Sequence, residues 1–239
     1  MGLEYVYFAI IFFIAGIAPE LTGFGVATIS MALLPFLLPL SVAIPLVAII
    51  SATATGIVAL RTKTRNLFKY IRPLIVGSAI GVTLGMVFLH LLDEQLLTVV
   101  LGIFLVVYAL YGLFFKGHLL PTGNVTGTAT GFVAGFFGAS FNVHGPLVGL
   151  YLSSNDELSK TEVKDLMATY MFVAGLFIIV GHTISGRVSG EVLLYALFAL
   201  PFLLAGLVVG KRIFKKVNII WIKRGIYLFV LAAGIALLL

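Results

Sequence analysis

Long apolar runs with almost no charge fill most of this chain, and they restrict its fold more than any other feature. Of the 239 residues, 61% are hydrophobic and only 10% are charged, whereas roughly 25% of the residues in a soluble domain carry a charge. A helix crosses the hydrocarbon core of a bilayer when about 20 consecutive residues are mainly apolar. The sequence therefore predicts an all-α membrane protein with several crossings.

The apolar blocks differ in length, and six of them approach the length of a spanning helix. The six long blocks are 42–60, 73–92, 96–115, 166–184, 191–210 and 222–239. The shorter blocks form two pairs, 5–40 and 124–152, each interrupted near its middle. Each interrupted pair is either one bent crossing or a re-entrant hairpin, which enters the membrane and returns to the same side.

The two interrupted pairs share a pattern. Phe13–Met31 and Phe132–Tyr151 both begin with Phe, an apolar residue and Ala-Gly. Each stretch is then broken by polar residues and becomes apolar again after a glycine, Gly25 or Gly145. This likeness predicts an internal duplication, in which the two breaks form the two halves of one binding site.

The basic residues favour the hairpin interpretation. If each interrupted pair enters and leaves on one side, fourteen of the fifteen Lys and Arg residues fall on one side of the membrane, and Arg187 falls on the other. If each pair crosses once, the same residues divide into seven and eight. Because basic loops stay in the cytoplasm, the first topology is preferred, with both termini outside the cell. The basic loops then lie inside, at 61–72, 116–123, 153–165 and 211–224.

This topology divides the chain into an N-terminal repeat, 1–118, and a C-terminal repeat, 119–239. Each repeat contains one hairpin and three crossings. Since three is odd, the second repeat is inverted relative to the first. Inverted repeats with interrupted helices that meet near mid-membrane are typical of secondary transporters.

Two local patterns add detail to this arrangement. Small residues four apart allow close helix packing, and the pairs Gly81/Gly85 and Gly206/Gly210 have this spacing. Ser159-x-x-Glu162 has the spacing of a capping box and predicts the start of the helix that follows.

The breaks are suited to binding an anion. A helix that begins at a break presents free N–H groups and a partial positive charge, and Gly25 and Pro146 suit such starts. Two helix N-termini facing each other would suit a small oxyanion, with nearby hydroxyl and amide groups as further donors. The candidate substrate-binding residues are Thr22, Gly23, Phe24, Gly25, Ser140, Asn142, Val143, His144, Gly145 and Pro146.

Two titratable side chains, Glu20 and His144, occur at the breaks of an otherwise charge-poor core. Ionisable residues at membrane depth are commonly functional, so this pair is the candidate for proton coupling. Alternatively, Glu20 faces a water-filled vestibule or forms a structural pair with His144, and His144 is a hydrogen-bonded core residue.

Catalytic patterns are weak in this chain. Ser140 and His144 are four residues apart, but no carboxylate adjoins them and no Gly-x-Ser-x-Gly elbow is present. His-Glu-x-x-His is also missing, and there is no cysteine to supply thiol chemistry. We therefore predict no enzymatic activity, no metal and no cofactor.

The duplicated motifs, Ala-Gly-break-Gly-Phe-Gly and Ala-Gly-break-His-Gly-Pro, in a chain of two inverted halves, resemble the TauE/SafE sulfite exporter family, also called the toluenesulfonate uptake permeases. The resemblance covers nearly the whole chain. It implies a multi-pass transporter in the cytoplasmic membrane for sulfite, sulfonates or related organic anions. The family's breaks are usually richer in glycine, whereas Pro19, Glu20 and Thr22 stand in the first break and Asn142 and His144 in the second.

The sequence thus predicts a secondary transporter that binds a small anion near mid-membrane, between the two broken hairpins. The alternative is a channel or carrier for another small solute, since broken helices also line pores. The expected partners are the anion, membrane lipids and a second copy in a homodimer. Nucleic acid is not an expected partner, because the basic residues lie in short loops between spans.

Overall fold

A computed structural model describes residues 2–22, 25–61, 68–114, 120–213 and 219–239, without the side chains of 2–4, 19–22 and 219–223. Within these ranges the regular structure is helical and contains no strand. The helices are α1 (Gly2–Thr22), α2 (Val26–Leu33), α3 (Leu40–Ala59), α4 (Phe68–Leu91), α5 (Glu94–Phe114), α6 (Asn124–Phe141), α7 (Gly145–Ser153), α8 (Lys160–Ile184), α9 (Gly190–Ile213) and α10 (Ile219–Ala236), with a 3₁₀ turn at Leu34–Phe36.

Five helices of the described chain are long and apolar enough to cross a membrane: α3, α4, α5, α8 and α9. They correspond to the first five predicted spans. The sixth predicted span corresponds to α10, whose described apolar part is Arg224–Ala236. Shorter apolar helices lie at Tyr5–Ala18 and Val26–Phe36. The predicted all-α, multi-pass fold is confirmed.

Both interrupted pairs fold as two helices that pack on each other, α1 on α2 and α6 on α7. In the second pair, the Tyr151 hydroxyl in α7 donates to the Gly123 carbonyl, just before α6, at 3.0 Å. This hydrogen bond holds the start of α6 and the end of α7 at one end of the molecule. The second pair is therefore a hairpin.

Hydrogen bonds between distant loops show which helix ends lie together. The Leu40 N–H donates to Glu94 Oε1 at 2.6 Å, and the Arg187 guanidinium donates to the Leu89 carbonyl at 2.8 Å. Leu89 lies near the end of α4 and Glu94 starts α5. Both bonds therefore lie at one end of the helix bundle, which we call the Glu94 end. Tyr70, near the start of α4, donates to the Glu157 carboxylate, which marks the opposite, Tyr70 end.

The capping box predicted at the start of α8 is confirmed. Ser159 is the N-cap residue, and its side chain accepts from the Glu162 N–H at 3.3 Å. Glu162 in turn accepts from the Ser159 N–H at 2.8 Å. The two side chains thereby accept hydrogen bonds from two backbone N–H groups that would otherwise lack a partner at the start of the helix.

Glycines bring helix backbones into direct contact in two helix pairs, α4 with α6 and α9 with α1. A Cβ atom at Gly81 would lie 2.0 Å from the Phe132 carbonyl oxygen, and one at Gly206 would lie 2.2 Å from the Phe13 carbonyl oxygen. Real Cβ atoms do not approach a backbone oxygen this closely. The predicted packing role of these glycines is confirmed.

The next glycine of each pair repeats the contact one turn later. A Cβ atom at Gly85 would lie 2.6 Å from the Phe136 carbonyl oxygen, and one at Gly210 would lie 2.7 Å from the Ile17 carbonyl oxygen. Each glycine of α9 lies 125 residues after its equivalent in α4. The carbonyls that the α4 glycines contact, in α6, lie 119 residues after the carbonyls that the α9 glycines contact, in α1. The two helix pairs therefore use equivalent positions for equivalent contacts.

These contacts predict the effect of adding one methyl group. Gly81→Ala and Gly206→Ala should each destabilise the protein by about 1–3 kcal/mol, because a backbone carbonyl blocks the new side chain. Gly225→Ala is the matched control, since nothing lies within 4 Å of that position in α10. Thermal unfolding in detergent measures the effect. Equal melting temperatures for Gly81→Ala and Gly225→Ala would contradict the close packing.

Candidate functional site

Asn142 ends α6 and forms the turn of the second break. It has a left-handed backbone (φ 60°, ψ 13°) and is the one non-glycine residue of the described chain with a positive φ. Its N–H donates to the Gly138 carbonyl at 2.8 Å, as in a helix C-cap. Its side-chain Nδ2 donates to the Ile44 carbonyl in α3, also at 2.8 Å. Asn142 thus ends one helix and attaches the break to another.

His144 is the N-cap residue of α7, and it is only 2% exposed. Neither ring nitrogen has a hydrogen-bond partner within the described part of the protein. A buried polar group without a partner costs free energy, so the His144 nitrogens need a partner that the described residues do not supply, such as a ligand or a water. No described residue supplies the hydrogen bond that the structural interpretation of His144 needs, and its alternative partner, Glu20, has a side chain outside the described residues.

Two neighbours shape the space around the His144 ring. The ring meets Tyr170 edge to face, with centroids 6.0 Å apart and planes at 73°. On another side lies Gly138, where a Cβ atom would be 2.7 Å from His144 Nδ1. The ring therefore fits only because residue 138 has no side chain.

Tyr170 is held by a hydrogen-bonded chain to α6. Its hydroxyl is 2.5 Å from Ser78 Oγ, and the Ser78 hydroxyl donates to the Gly131 carbonyl at 3.0 Å. Because the single Ser78 proton goes to that carbonyl, Tyr170 donates to Ser78. Ser78 and Tyr170 lie near the middles of α4 and α8, which places the His144 ring near mid-depth of the helix bundle.

Ser140, Val143 and Gly145 are buried with His144, and Pro146 is half-buried. Ser140 Oγ donates to the Phe136 carbonyl at 2.9 Å, so its hydroxyl serves its own helix. Val143 is 1% exposed and belongs to the main apolar core. The helix α7 starts at Gly145, with Pro146 in its first turn, where the missing proline N–H breaks no hydrogen bond. The predicted helix start is confirmed.

At the first break, Gly25 is the N-cap residue of α2 and has φ 134°. This angle favours glycine, since it strains residues with a Cβ atom. The Gly25 carbonyl accepts from the Ile29 N–H at 2.9 Å. The side chains of Glu20 and Thr22 and the whole of Gly23 and Phe24 lie outside the described residues, so these four predictions stay predictions.

Helix α3 contacts both breaks. It packs on α2, and its Ile44 carbonyl accepts from Asn142. Val26 at the start of α2 and Val143 in the second break belong to one apolar core. On α2, the Ser30 hydroxyl is fully buried and has no hydrogen-bond partner among the described residues.

The described parts of the two breaks present hydrogen-bond donors and no carboxylate side chain. The first N–H groups of a helix have no partner within it, and both α2 and α7 begin at the breaks. The His144 ring adds at least one donor in either tautomer. Within the described ranges, no three His, Asp or Glu side chains are grouped as a metal site.

Sequence reasoning missed Ser30, Ser78 and Tyr170. Tyr170 in the middle of the apolar helix α8 was a usable signal, because tyrosines of membrane helices usually lie at the two membrane–water interfaces. Nothing in the sequence, however, indicates that α4 and α8 bring Ser78 and Tyr170 together, 92 residues apart.

The family model described as sulfite exporter TauE/SafE matches residues 8–237. Neither the curated proteins nor the solved structures include a significant match.

The two roles of Asn142 can be separated by substitution. Asn142→Gly removes the hydrogen bond to the Ile44 carbonyl but keeps a residue that readily adopts the left-handed backbone. Asn142→Ala removes the same hydrogen bond and also strains the left-handed backbone. We expect losses in the free energy of unfolding of about 1 kcal/mol for Gly and about 2 kcal/mol for Ala. Thermal unfolding in detergent measures the order. An Ala variant as stable as the parent would show that Asn142 does not hold the break.

Proposed function

Since the chain belongs to the TauE/SafE sulfite exporter family of membrane transporters, we propose that it is a secondary transporter which binds a small anion between its two broken hairpins. The substrate class is sulfite, a sulfonate or a related organic anion. The family consists of transporters and not enzymes, which agrees with the weak catalytic patterns of the sequence.

The observation that carries this proposal is the buried His144 ring, whose two nitrogens have no hydrogen-bond partner among the described residues. A protonated imidazole donates from both nitrogens, and a neutral one donates from one and accepts at the other. An oxyanion accepts hydrogen bonds at several oxygens, so it matches the protonated ring at the start of α7. Tyr170 and Gly138 hold this ring in place.

The helix starts supply the remaining donors in this proposal. Backbone N–H groups at the first turns of α2 and α7 attract anions through the helix dipole and cost no reorganisation. Asn142 and Ser140 already donate to backbone carbonyls, so they hold the breaks in shape. Gly145 opens α7, and Pro146 contributes no donor, which leaves the Gly145 and Leu147 amides facing the break.

Equivalent helix contacts support the proposal of two inverted repeats. The pairing of α1 with α9 matches that of α6 with α4, and α3 contacts α9 as α8 contacts α4. Exchanging the halves 1–118 and 119–239 converts each pairing into the other. In such transporters one repeat rocks or shifts against the other around a site at their interface.

Proton coupling through Glu20 and His144 is part of the proposal. An anion arriving near both groups favours their protonated forms, because this removes a negative charge from Glu20 and adds a positive charge to His144. If the two groups touch, they titrate as a pair. Anion binding then takes up protons and release returns them, which is anion–proton symport.

If His144 binds the anion, its substitution should lower the affinity for sulfite, whereas substitution of His182 should not. His144→Gln should weaken sulfite binding by about tenfold or more, as expected for a lost charged hydrogen bond. His182→Gln is the matched control, since His182 is equally buried and also unpaired among the described residues.

Titration of purified protein and saturable sulfite flux into liposomes measure both variants. Gly138→Ala should lower sulfite affinity as well, because its Cβ atom would displace the His144 ring. Equal losses in both histidine variants would remove His144 from the site. Ohmic current in place of saturable flux would favour the channel alternative.

The coupling hypothesis is tested with Glu20→Gln, which keeps the shape of the side chain and fixes its charge at zero. Sulfite exchange should persist in this variant, whereas accumulation driven by a pH gradient should disappear. Liposomes with an imposed pH gradient measure both quantities. Parent-like accumulation would show that Glu20 is not the coupling group.

The proposed topology places both termini and Ser189 outside the cell and Ser154 inside. The chain has no cysteine, so Ser154→Cys and Ser189→Cys each introduce a single thiol. A membrane-impermeant thiol reagent should label Ser189→Cys in intact cells and Ser154→Cys only after permeabilisation. Labelling of both from the same side would contradict the hairpin topology.

A further inference from the structure

A pocket of about 700 Å³ lies between α3 and α9 at the Tyr70 end. Three of its lining residues are cationic: Arg61, Lys211 and Arg212. The other lining side chains are apolar and include Ile57, Leu204 and Val208. The pocket therefore combines a cationic mouth with an apolar wall, and it is separate from the breaks of the two hairpins.

The order of residues along the two helices creates this division. On α9, positions 204, 208 and 211 follow one helix face, so the apolar wall leads directly to the cations. Leu204 and Lys211 are separated by about 10 Å along the axis. Ile57 lies in the last turn of α3, and Arg61 follows in the turn just after the helix ends at Ala59. Both helices run toward the same end, so their cations converge.

The apolar wall of the pocket is exposed on the outside of the helix bundle, on the face that a surrounding membrane would cover. Leu204 and Val208 are 44% and 53% exposed. The opposite face of α9 packs on α1 through Gly206 and Gly210. An occupant therefore enters from the lipid phase and lies along the outside of the helix bundle.

We infer that this pocket binds an anionic phospholipid, whose phosphate contacts Arg61, Lys211 and Arg212 and whose acyl chain lies along Leu204 and Val208. Basic pockets between membrane helices on the cytoplasmic side suit such head groups. A free phosphate or sulfite ion uses the cations but gains nothing from the apolar wall. The match in both charge and hydrophobicity selects the lipid.

The repeat pattern does not require cations at positions 211 and 212. With the 125-residue spacing between equivalent positions of α4 and α9, Lys211 and Arg212 correspond to Met86 and Val87 in α4. The two equivalent positions in α4 are therefore apolar. The positive-inside rule accounts for the number of cations at the Tyr70 end, but not for three of them lining one pocket.

The test compares lipid binding by the purified full-length chain in neutral detergent. Native mass spectrometry measures binding of phosphatidylglycerol and of phosphatidylcholine with the same acyl chains. The parent should prefer phosphatidylglycerol. The triple variant Arg61→Gln/Lys211→Gln/Arg212→Gln should bind it about tenfold to a hundredfold more weakly, given the usual contribution of each cation.

The matched control is Lys69→Gln/Arg72→Gln/Lys160→Gln, which removes three exposed cations outside this pocket. It should keep the parent affinity. Leu204→Ser/Val208→Ser keeps the cations and should also weaken phosphatidylglycerol binding, which distinguishes a lipid from a free anion and remains informative if the triple variant misfolds.

The inference would be overturned if the triple variant or Leu204→Ser/Val208→Ser bound phosphatidylglycerol as tightly as the parent does. It would also be overturned if the parent bound phosphatidylcholine equally well. A third contrary result is displacement of the lipid by millimolar inorganic phosphate or sulfite. The last result would identify the pocket as an entrance for small anions.

Discussion

The need to pair backbone polar groups away from water governs this structure. A helix can break inside a membrane only where protein or a water-filled cavity satisfies the free N–H and C=O groups. At the second break the protein supplies that support through Asn142, which caps α6 and reaches across to the Ile44 carbonyl of α3. In the proposed function, the amides at the start of α7 and the His144 ring bind the anion.

Close helix packing gives the break a fixed frame. Gly81 and Gly85 let α4 approach the backbone of α6, and Ser78 on the same helix holds Tyr170 against the His144 ring. A larger residue at these glycine positions would separate α4 from α6 and loosen that contact. The same glycines that permit close packing therefore position the proposed binding site.

The sequence predicted the helices and their starts well because these depend on local chemistry. Apolar length identified the spanning helices, Ser159 and Glu162 marked the start of α8, and Pro146 marked the first turn of α7. The partners of Asn142 and Tyr170 could not be predicted. They lie on helices distant in sequence, and only tertiary packing brings them together.

The central claim is that the anion binds at the His144 ring, and nuclear magnetic resonance of ¹⁵N-labelled histidine tests it most directly. The chain has four histidines, so each ring can be assigned by substitution. Sulfite should shift the His144 ring-nitrogen signals in a saturable way and leave those of His182 unchanged. Unchanged His144 signals at sulfite concentrations that saturate transport would contradict the account.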